Sequence, residues 1–498
     1  MPNDRNDTQS RPPRAAAGVG LVQRRAVEEL LRVSPVADDL AARFERAGFQ
    51  LALVGGSVRD ALLGRLGNDL DFTTDARPED VLRIVRPWAD AVWEVGIAFG
   101  TVGCRKAAPG DAGEGGPKDF QLEITTYRSE AYDRTSRKPE VSYGDSLEED
   151  LLRRDFTVNA MAVGLPRKEF VDPHNGLSDL AQRVLRTPGT PESSFSDDPL
   201  RMMRAARFAA QLDFTVAEPV RAAMSGMAER IDIVSAERVR DELNKLLLSD
   251  HPRKGLTLLV ETGLAARALP ELPALRLERD EHHRHKDVYE HSLTVLEQAI
   301  DLEGGERDLV LRLAALLHDI GKPRTRRFEE DGRVSFHHHE VVGAKMVKQR
   351  LGKLKYPNEM IKDVARLVEL HLRFHGYGTG EWTDSAVRRY VRDAGPLLDR
   401  LHKLTRSDCT TRNKRKAQAL SRAYDGLEER IERLREQEEL DAIRPDLNGN
   451  DIMRLLGIGP GPEVGAAYRH LLDLRMEHGP MGPEEAEARL REWWAGQQ

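Results

Sequence analysis

The spacing of apolar and polar residues changes rhythm along the chain. Between about residues 50 and 163, short strand-like runs alternate with helical stretches. The strands are expected over Leu51–Val54, Leu70–Phe72, Thr101–Arg105 and Phe120–Thr126, the helices over Arg59–Gly64 and Pro78–Arg86. A Gly/Pro-rich insert, Ala107–Lys118, reads as a loop joining two sheet strands. After Pro166 strand signals largely vanish. Over Asp198–Leu212 the residues Leu200, Met203, Ala206, Phe208 and Ala209 recur at helical spacing, which puts the arginines on the other side. Helical patterning continues to the last residues, interrupted at Pro270–Pro273, Gly376–Gly378 and Gly457–Pro462, and Asp446–Ala467 reads as helix–loop–helix. The pattern predicts an α+β chain: a head with a small mixed sheet, then helical domains. No internal repeat is evident.

Length and composition sharpen this. A chain of 498 residues is too long for one core, and roughly three or four domains are expected. The divisions fall at a disordered tail (1–30), a head (31–165), an all-α neck (166–270), a helical body (271–415) and a helical tail (416–498). Met1–Gly18 is polar and rich in Pro, Arg and Ala without an apolar centre, which is not the pattern of a secretory signal. Charged residues make up 32% and aromatics 5%, with a mean hydropathy of -0.54, the profile of a soluble, helix-rich protein. No run of about 18 apolar residues exists to span a membrane. Two distant cysteines, Cys104 and Cys409, suit a reducing cytoplasm. A net charge of -7 argues against a general nucleic-acid binder. Basic residues nonetheless cluster at Arg201/Arg204/Arg207 and from Arg406 to Lys416, including Arg412, Lys414 and Arg415.

Asp69 and Asp71 carry the most specific chemistry. Residues two apart on a strand project to one face, so both carboxylates enter one site. Paired hard oxygen ligands suit Mg2+, which keeps coordination positions for water and substrate phosphates. Upstream, Gly55-Gly56-Ser57 offers backbone amides, and a helix starting near Ser57 would aim them at an anion. Each feature alone is commonplace, a solvated carboxylate pair or a turn. In this order and at this range they describe a phosphoryl-transfer site.

The head resembles the nucleotidyltransferase fold shared with DNA polymerase beta. More closely, it is similar to the class II tRNA nucleotidyltransferases, the CCA-adding enzymes, with bacterial poly(A) polymerases as near relatives. Four motifs between Leu51 and Leu248 carry the resemblance. The glycine turn, with Gly55, Gly56 and Arg59, precedes Asp69 and Asp71. The strand Glu123–Arg128 follows, in which Glu123 would complete metal coordination or accept the attacking hydroxyl's proton. Arg153–Ala160 matches the ribose-recognition motif, with Arg154, Asp155 and Asn159 expected on one helix face. A capping network is the competing reading. Asp197–Phe208 matches the amino-acid template for the incoming base. The family usually begins that motif with Glu-Asp, where this chain has Asp197-Asp198.

Physical sense supports the template. Asp198 and Arg201 lie one helical turn apart, a carboxylate to accept from an exocyclic amine and a guanidinium to donate to a ring nitrogen. Cytosine and adenine present that edge; uracil and guanine present its inverse. Arg204 and Arg207 continue the face and are expected to neutralise a triphosphate. The resemblance implies CMP and AMP transfer from CTP and ATP to the 3′ end of tRNA, with no obligatory protein partner. The nearest rival is a poly(A) polymerase. Trp93–Gly103 resembles the CCA enzymes' segment and lacks the Gly-Arg-Arg-Phe-Arg run of the proteobacterial poly(A) polymerases. Enzymes adding only CC or only A stay open.

Further along come His285 and His291, His318-Asp319, His337-His338-His339, His371 and Asp408. This order resembles the HD-type metal-dependent phosphohydrolases and places the 271–415 body among them. The resemblance assigns His291, His318, Asp319 and Asp408 to a first divalent transition metal, and His339 and His371 to a second. It implies a phosphatase or phosphodiesterase activity on RNA or nucleotide phosphates, and a scaffold without metal is the other reading. In the tRNA nucleotidyltransferases the tail region grips the tRNA elbow and acceptor stem; a packing hairpin would look alike.

Overall fold

A computed structural model describes residues 14–108, 119–130, 141–144, 146–277, 287–330, 334–376, 382–410, 413–438 and 444–497. Tail residues 1–13, nearly all of the Gly/Pro-rich insert, His285, Lys286, Tyr377, Gly378 and Arg412 lie outside them. The chain divides into two compact units, Met1–Ala268 and Leu269–Gln498. The head and neck read from the sequence thus share one unit, and the body and tail share the other.

The first unit opens with α1 (Arg14–Arg46). The tail expected through residue 30 is therefore helical from Arg14. Val33, Val36, Leu40 and Phe44 bury one stripe of this helix and anchor its later half. Ala, Leu, Arg and Glu upstream are strong helix formers, so propagation backwards from an anchored turn is favourable.

The head sheet contains β1 (Leu51–Val54), β2 (Asp69–Thr74), β3 (Ala91–Trp93), β4 (Thr101–Ala107), β5 (Asp119–Thr126), β8 (Ala162–Leu165) and β9 (Glu169–Val171) in the order β3-β4-β5-β2-β1-β8-β9. A separate hairpin pairs β6 (Arg128–Glu130) with β7 (Val141–Tyr143). β1 is buried at all four positions, as an unbroken apolar run demands of a central strand. β2 and β5 instead alternate: Leu70 and Phe72, like Phe120, Leu122 and Ile124, are buried, while Asp69, Asp71, Gln121 and Glu123 stay exposed. The two strands run parallel, with Asp71 opposite Glu123, so their polar positions share one face.

Around the sheet lie α2 (Gly56–Leu62), α3 (Pro78–Val85), α4 (Leu147–Leu152) and α5 (Gly176–Gln182). The neck follows as α6 (Pro191–Asp197), α7 (Leu200–Leu212), α8 (Glu218–Gly226), α9 (Ala236–Leu247), α10 (Pro252–Glu261) and α11 (Leu264–Ala268). Packing between α9 and α10 buries α7 on nearly every side, Arg201 and Arg207 included.

The second unit comprises α12 (Val288–Asp301), α13 (Leu309–Leu317), α14 (Lys322–Thr325), α15 (His339–Lys353), α16 (Asn358–Leu370), α17 (Asp384–Ala394), α18 (Leu398–Ser407), α19 (Lys414–Glu438), α20 (Gly449–Leu456), α21 (Pro462–His478) and α22 (Gly482–Ala495). α20 and α21 form the expected helix–loop–helix, with Asn448 and Asp451 making a capping box at its start. Leu447, Ile452, Ala467, Leu471, Ala486 and Leu490 give the last three helices a small core of their own. Among the described residues no helix is long and apolar enough to cross a membrane.

Candidate functional site

β1 ends in a sharp turn at Gly55, whose φ of 67° lies in the left-handed region that favours glycine. A Cβ there would stand 2.8 Å from Arg154 Nη1 and 4.0 Å from Asp71 Oδ2, against the site wall. α2 begins at the next residue, and Ser57 Oγ accepts a hydrogen bond from Asp71 N at 2.8 Å, which ties the turn to β2. Gly55, Gly56, Asp71 and Glu123 line a cavity of about 950 Å³. Asp69 stands on the same strand, exposed and outside that lining. Asp71 is open to the cavity but enclosed by protein elsewhere. That desolvation, then the charge of Glu123, lifts its carboxyl to about 6 although Arg154 and Arg59 pull the other way. An excess of negative charge of this kind, presented as hard oxygens, fits a divalent cation.

The ribose motif is not one helix face. α4 ends at Leu152, Phe156 is extended, and Asn159 closes a single turn over Thr157–Asn159. The break lets Phe156 enter the core, where its ring meets Phe208 edge-on at 5.8 Å. Asp155 and Asn159 still meet: Asn159 Nδ2 donates to Asp155 Oδ1 at 2.9 Å. Arg59 Nη1 donates to Asn159 Oδ1 at 2.6 Å, and Arg204 Nε and Nη2 donate to Asp155 Oδ2 at 2.7 and 2.5 Å. Burial alone would raise the Asp155 carboxyl; the charge of Arg204 and the bonds from Asn159 and Arg204 hold it well below the usual carboxylate range. Arg154 Nη2 donates to the buried Asp150 at 3.0 Å.

Asp198 sits in the extended corner between α6 and α7. Its Oδ1 accepts from Leu200 N at 3.1 Å and its Oδ2 from Arg238 Nη2 at 2.8 Å. Arg201, in the first turn of α7, donates to Ser194 Oγ at 2.9 Å and to Arg153 O at 2.6 Å. Both residues line the same cavity as Asp71. Arg204 and Arg207 line it too, but not as uncommitted guanidiniums. Arg204 is the partner of Asp155, and Arg207 donates to Glu242 and to Gln211 at 2.6 Å each. Those ion pairs hold both guanidiniums in place at the cavity wall.

Among the lining residues not assigned from the sequence are Phe99, Arg128 and Arg238. Arg128 ends the strand motif that begins at Glu123, and Phe99 lies within Trp93–Gly103. Arg238 lies 40 residues beyond Asp198 on α9, and only the fold brings them together.

The second unit gathers the histidines. His318, His371 and Asp408 each stand one residue past the end of a helix (α13, α16, α18), His339 opens α15, and His291 lies in α12. A Cβ on Gly321 would fall 2.1 Å from His339 O, so only glycine lets the chain after Asp319 pass the start of α15. His318, His339 and His371 each place Nδ1 on a backbone carbonyl, at 2.8, 2.8 and 2.6 Å, and His291 Nδ1 meets Thr410 Oγ1 at 3.1 Å. With Nδ1 as donor to a carbonyl, Nε2 keeps its lone pair for a metal. His291, His318 and Asp408 present donor atoms within 4.8 Å of one another, as do Asp319, His339 and His371. Asp319, expected with the first set, reaches both. Its Oδ2 is 3.2 Å from His318 Nε2 and 2.6 Å from Lys322 Nζ, and its Oδ1 is 3.2 Å from His339 Nε2. Burial, then the neighbouring His318, takes His371 down to about 3, so it is neutral. Among the described residues its buried Nε2 has no hydrogen-bond partner. A lone pair left unsatisfied in that donor set fits a divalent transition metal.

Comparison with known proteins finds three matching regions. Residues 51–186 match the model of the poly A polymerase head domain, 213–275 that of the "Probable RNA and SrmB- binding site of polymerase A", and 288–413 the HD domain. The A-adding tRNA nucleotidyltransferase of Deinococcus radiodurans is 36% identical over 89% of this chain and 95% of its own. The CCA-adding enzyme of Streptococcus thermophilus is 33% identical over 89% and 91%, and the CC-adding tRNA nucleotidyltransferase of Thermus thermophilus 33% over 89% and 94%. The fold is similar to the crystal structure of the Bacillus stearothermophilus CCA-adding enzyme in complex with CTP, with a TM-score of 0.66, 24% identity, and 94% of this chain and 98% of that one covered.

Proposed function

The chain belongs to the tRNA nucleotidyltransferase family that includes the CCA-adding enzymes, and we propose that it transfers CMP and AMP from CTP and ATP to the 3′ end of tRNA, releasing pyrophosphate. The observation that carries this is one cavity lined at once by the Gly55-Gly56 turn, by Asp71 and Glu123, and by Asp198 and Arg201. The glycine turn binds phosphate oxygens through backbone amides, and Asp198 with Arg201 accepts the amino edge of cytosine or adenine. The 3′-hydroxyl oxygen attacks the α-phosphorus, and Glu123, on the cavity wall opposite Asp71, would take its proton. Asp69 and Asp71 would hold Mg2+, which when bound neutralises the triphosphate and favours ionisation of the attacking hydroxyl. Holding both substrates in register supplies much of the rate. The free thiols of Cys104 and Cys409 suit a cytoplasmic enzyme.

Incubation with tRNA ending at the discriminator base and each labelled nucleotide tests the proposal. CTP alone should add two residues, and CTP with ATP three. Labelling by ATP alone in long tracts would instead identify a poly(A) polymerase. Since relatives of similar identity are named for adding only A or only CC, a partial reaction is the second reading. Arrest after CC, or A added only to tRNA already ending in CC, would establish it.

For the second unit we infer a divalent transition metal held by His291, His318, Asp319, His339, His371 and Asp408, on the strength of the unpartnered His371 Nε2. Such ions, when bound, polarise a phosphate ester and supply hydroxide. Metal analysis of the purified protein, with hydrolysis of 2′,3′-cyclic and 2′-phosphate substrates, tests this reading. Protein free of metal after growth with added nickel, manganese and cobalt would rule it out.

A further inference from the structure

Between Asp319 and His339, two residues of the histidine centre, the chain folds back on itself. Arg327–Phe328 pairs antiparallel with Val334–Ser335, Phe328 opposite Val334. Strand alternation puts Arg326, Phe328, Val334 and Phe336 on one side and Arg327, Glu329 and Ser335 on the other. The contacts follow that division. The Arg326 guanidinium lies over the Phe328 ring at 4.7 Å, and on the opposite side Ser335 Oγ donates to Glu329 Oε1. The aromatic side runs into the histidine centre. Lys322 Nζ lies 5.7 Å from the centre of the Phe336 ring and 2.6 Å from Asp319 Oδ2, and Phe336 O accepts from His339 Nδ1 at 2.8 Å.

Two features of this side are not required by folding. Phe328 is 59% exposed, so its ring contributes little to a core. From Ile320 to Phe328 the chain also carries four cations, Lys322, Arg324, Arg326 and Arg327, and no carboxylate. Exposed rings among guanidiniums are a surface on which bases stack while the backbone phosphates are neutralised. Phe328 and Phe336 are diagonal neighbours across the strand pair, a separation of about 7–8 Å, which leaves one ring for each of two successive bases. A single nucleotide with its phosphate in the histidine centre would meet Phe336, the nearer ring. Phe328 gains a partner only from a longer strand.

We propose that this side of the hairpin takes the last two nucleotides of a single-stranded RNA, the terminal base on Phe336 and the preceding base on Phe328, so that the terminal phosphate enters the histidine centre. The inference rests on the phosphohydrolase reading of that centre and names its substrate as an RNA end, not a free nucleotide. For a 2′,3′-cyclic end the reaction is a hydrolysis. The oxygen of one water bonds to phosphorus, one bond from phosphorus to a ribose oxygen breaks, and that ribose oxygen leaves with a proton.

Kinetics of the full chain on a tetranucleotide and a mononucleotide, both ending in a 2′,3′-cyclic phosphate, test this. In the parent, kcat/KM should favour the tetranucleotide by about tenfold or more. Phe328→Ala should remove most of that preference, and Phe328→Trp, which keeps an aromatic face, should restore it. Thermal melting should match the parent in both variants, since the ring is exposed. Photocrosslinking of the tetranucleotide, with 4-thiouridine at its penultimate position, reads binding without turnover, and the crosslink in the parent should map to Phe328. Equal kcat/KM for the two substrates in the parent would overturn the proposal. So would a preference that survives Phe328→Ala, or a crosslink confined to the first unit. Should neither substrate be hydrolysed, the phosphohydrolase reading falls by itself, and the crosslink still decides whether the hairpin binds RNA.

Discussion

At the scale of single residues, Asp71 concentrates the chemistry. Replacing it with Ala should abolish nucleotide addition while leaving the protein folded and able to bind tRNA, because removing a metal ligand forfeits several kcal/mol of charge stabilisation. Near-normal turnover by Asp71→Ala would remove the head-site assignment. Its titration gives a second check. A carboxyl raised to about 6 is protonated below that value, and a proton then competes with the cation. Affinity for Mg2+ should therefore weaken as pH falls from 7 to 5, with protons released on binding near pH 6. Calorimetry in buffers of different ionisation enthalpy would measure this, and binding independent of pH would contradict it. Asp198 and Arg238 form a different kind of pair. The Arg238 side chain is 54% exposed, so its loss should cost at most about 1 kcal/mol of stability. What Arg238→Ala removes is the fixed orientation of Asp198. UTP and GTP misincorporation should rise in both Arg238→Ala and Asp198→Ala, by about tenfold or more in the latter, since a site built to hydrogen-bond one base edge discriminates through those bonds. Unchanged exclusion of UTP in Asp198→Ala would refute the base-reading role.

Among elements, α7 shows what the sequence makes legible and what it hides. Its helical period is plain from Leu200, Met203, Ala206 and Phe208. The fate of its arginines is not, because Arg207 and Arg204 find Glu242 and Asp155 at separations of 35 and 49 residues. Sequence spacing speaks for neighbours on one helix and says nothing of a partner on another. The same limit explains the ribose motif: Asp155 and Asn159, four apart, do meet, but across a break made so that Phe156 can be buried. Strand alternation, by contrast, is local, and β2 and β5 expose their carboxylates as the pattern predicts. The histidine centre was legible residue by residue, yet not the sharing of Asp319 between two sets. The packing of α7 on α9 leads to a prediction about stability. Glu242→Ala leaves Arg207 buried without its counter-charge and should destabilise the first unit by about 3 kcal/mol or more. The double variant Arg207→Met/Glu242→Leu should recover most of that loss. Chemical denaturation compares them, and a Glu242→Ala variant as stable as the parent would show that the pair is not a latch between these helices.

For the whole molecule, the two candidate sites fall in different units, Met1–Ala268 and Leu269–Gln498. The carboxylates of β2 and β5 belong to the first unit, and every member of the histidine centre to the second. Their donor types differ as well, carboxylate oxygens in one and imidazoles with carboxylates in the other, and such sets would suit different classes of ion. Compact units with separate cores act independently unless something couples them. Asp319→Ala should accordingly strip transition metal from the protein, because Asp319 is the residue that faces both donor sets. Any phosphohydrolase activity should go with it, while incorporation of CMP and AMP into tRNA continues at the parent rate. Elemental analysis and the labelled-nucleotide assay, run on one preparation, read both halves. Metal content equal to the parent would mean that Asp319 is no ligand and that Lys322, 2.6 Å from its Oδ2, marks a purely structural ion pair. Loss of nucleotide incorporation in a variant that melts like the parent would mean that the second unit controls the first, and independence would have to be given up.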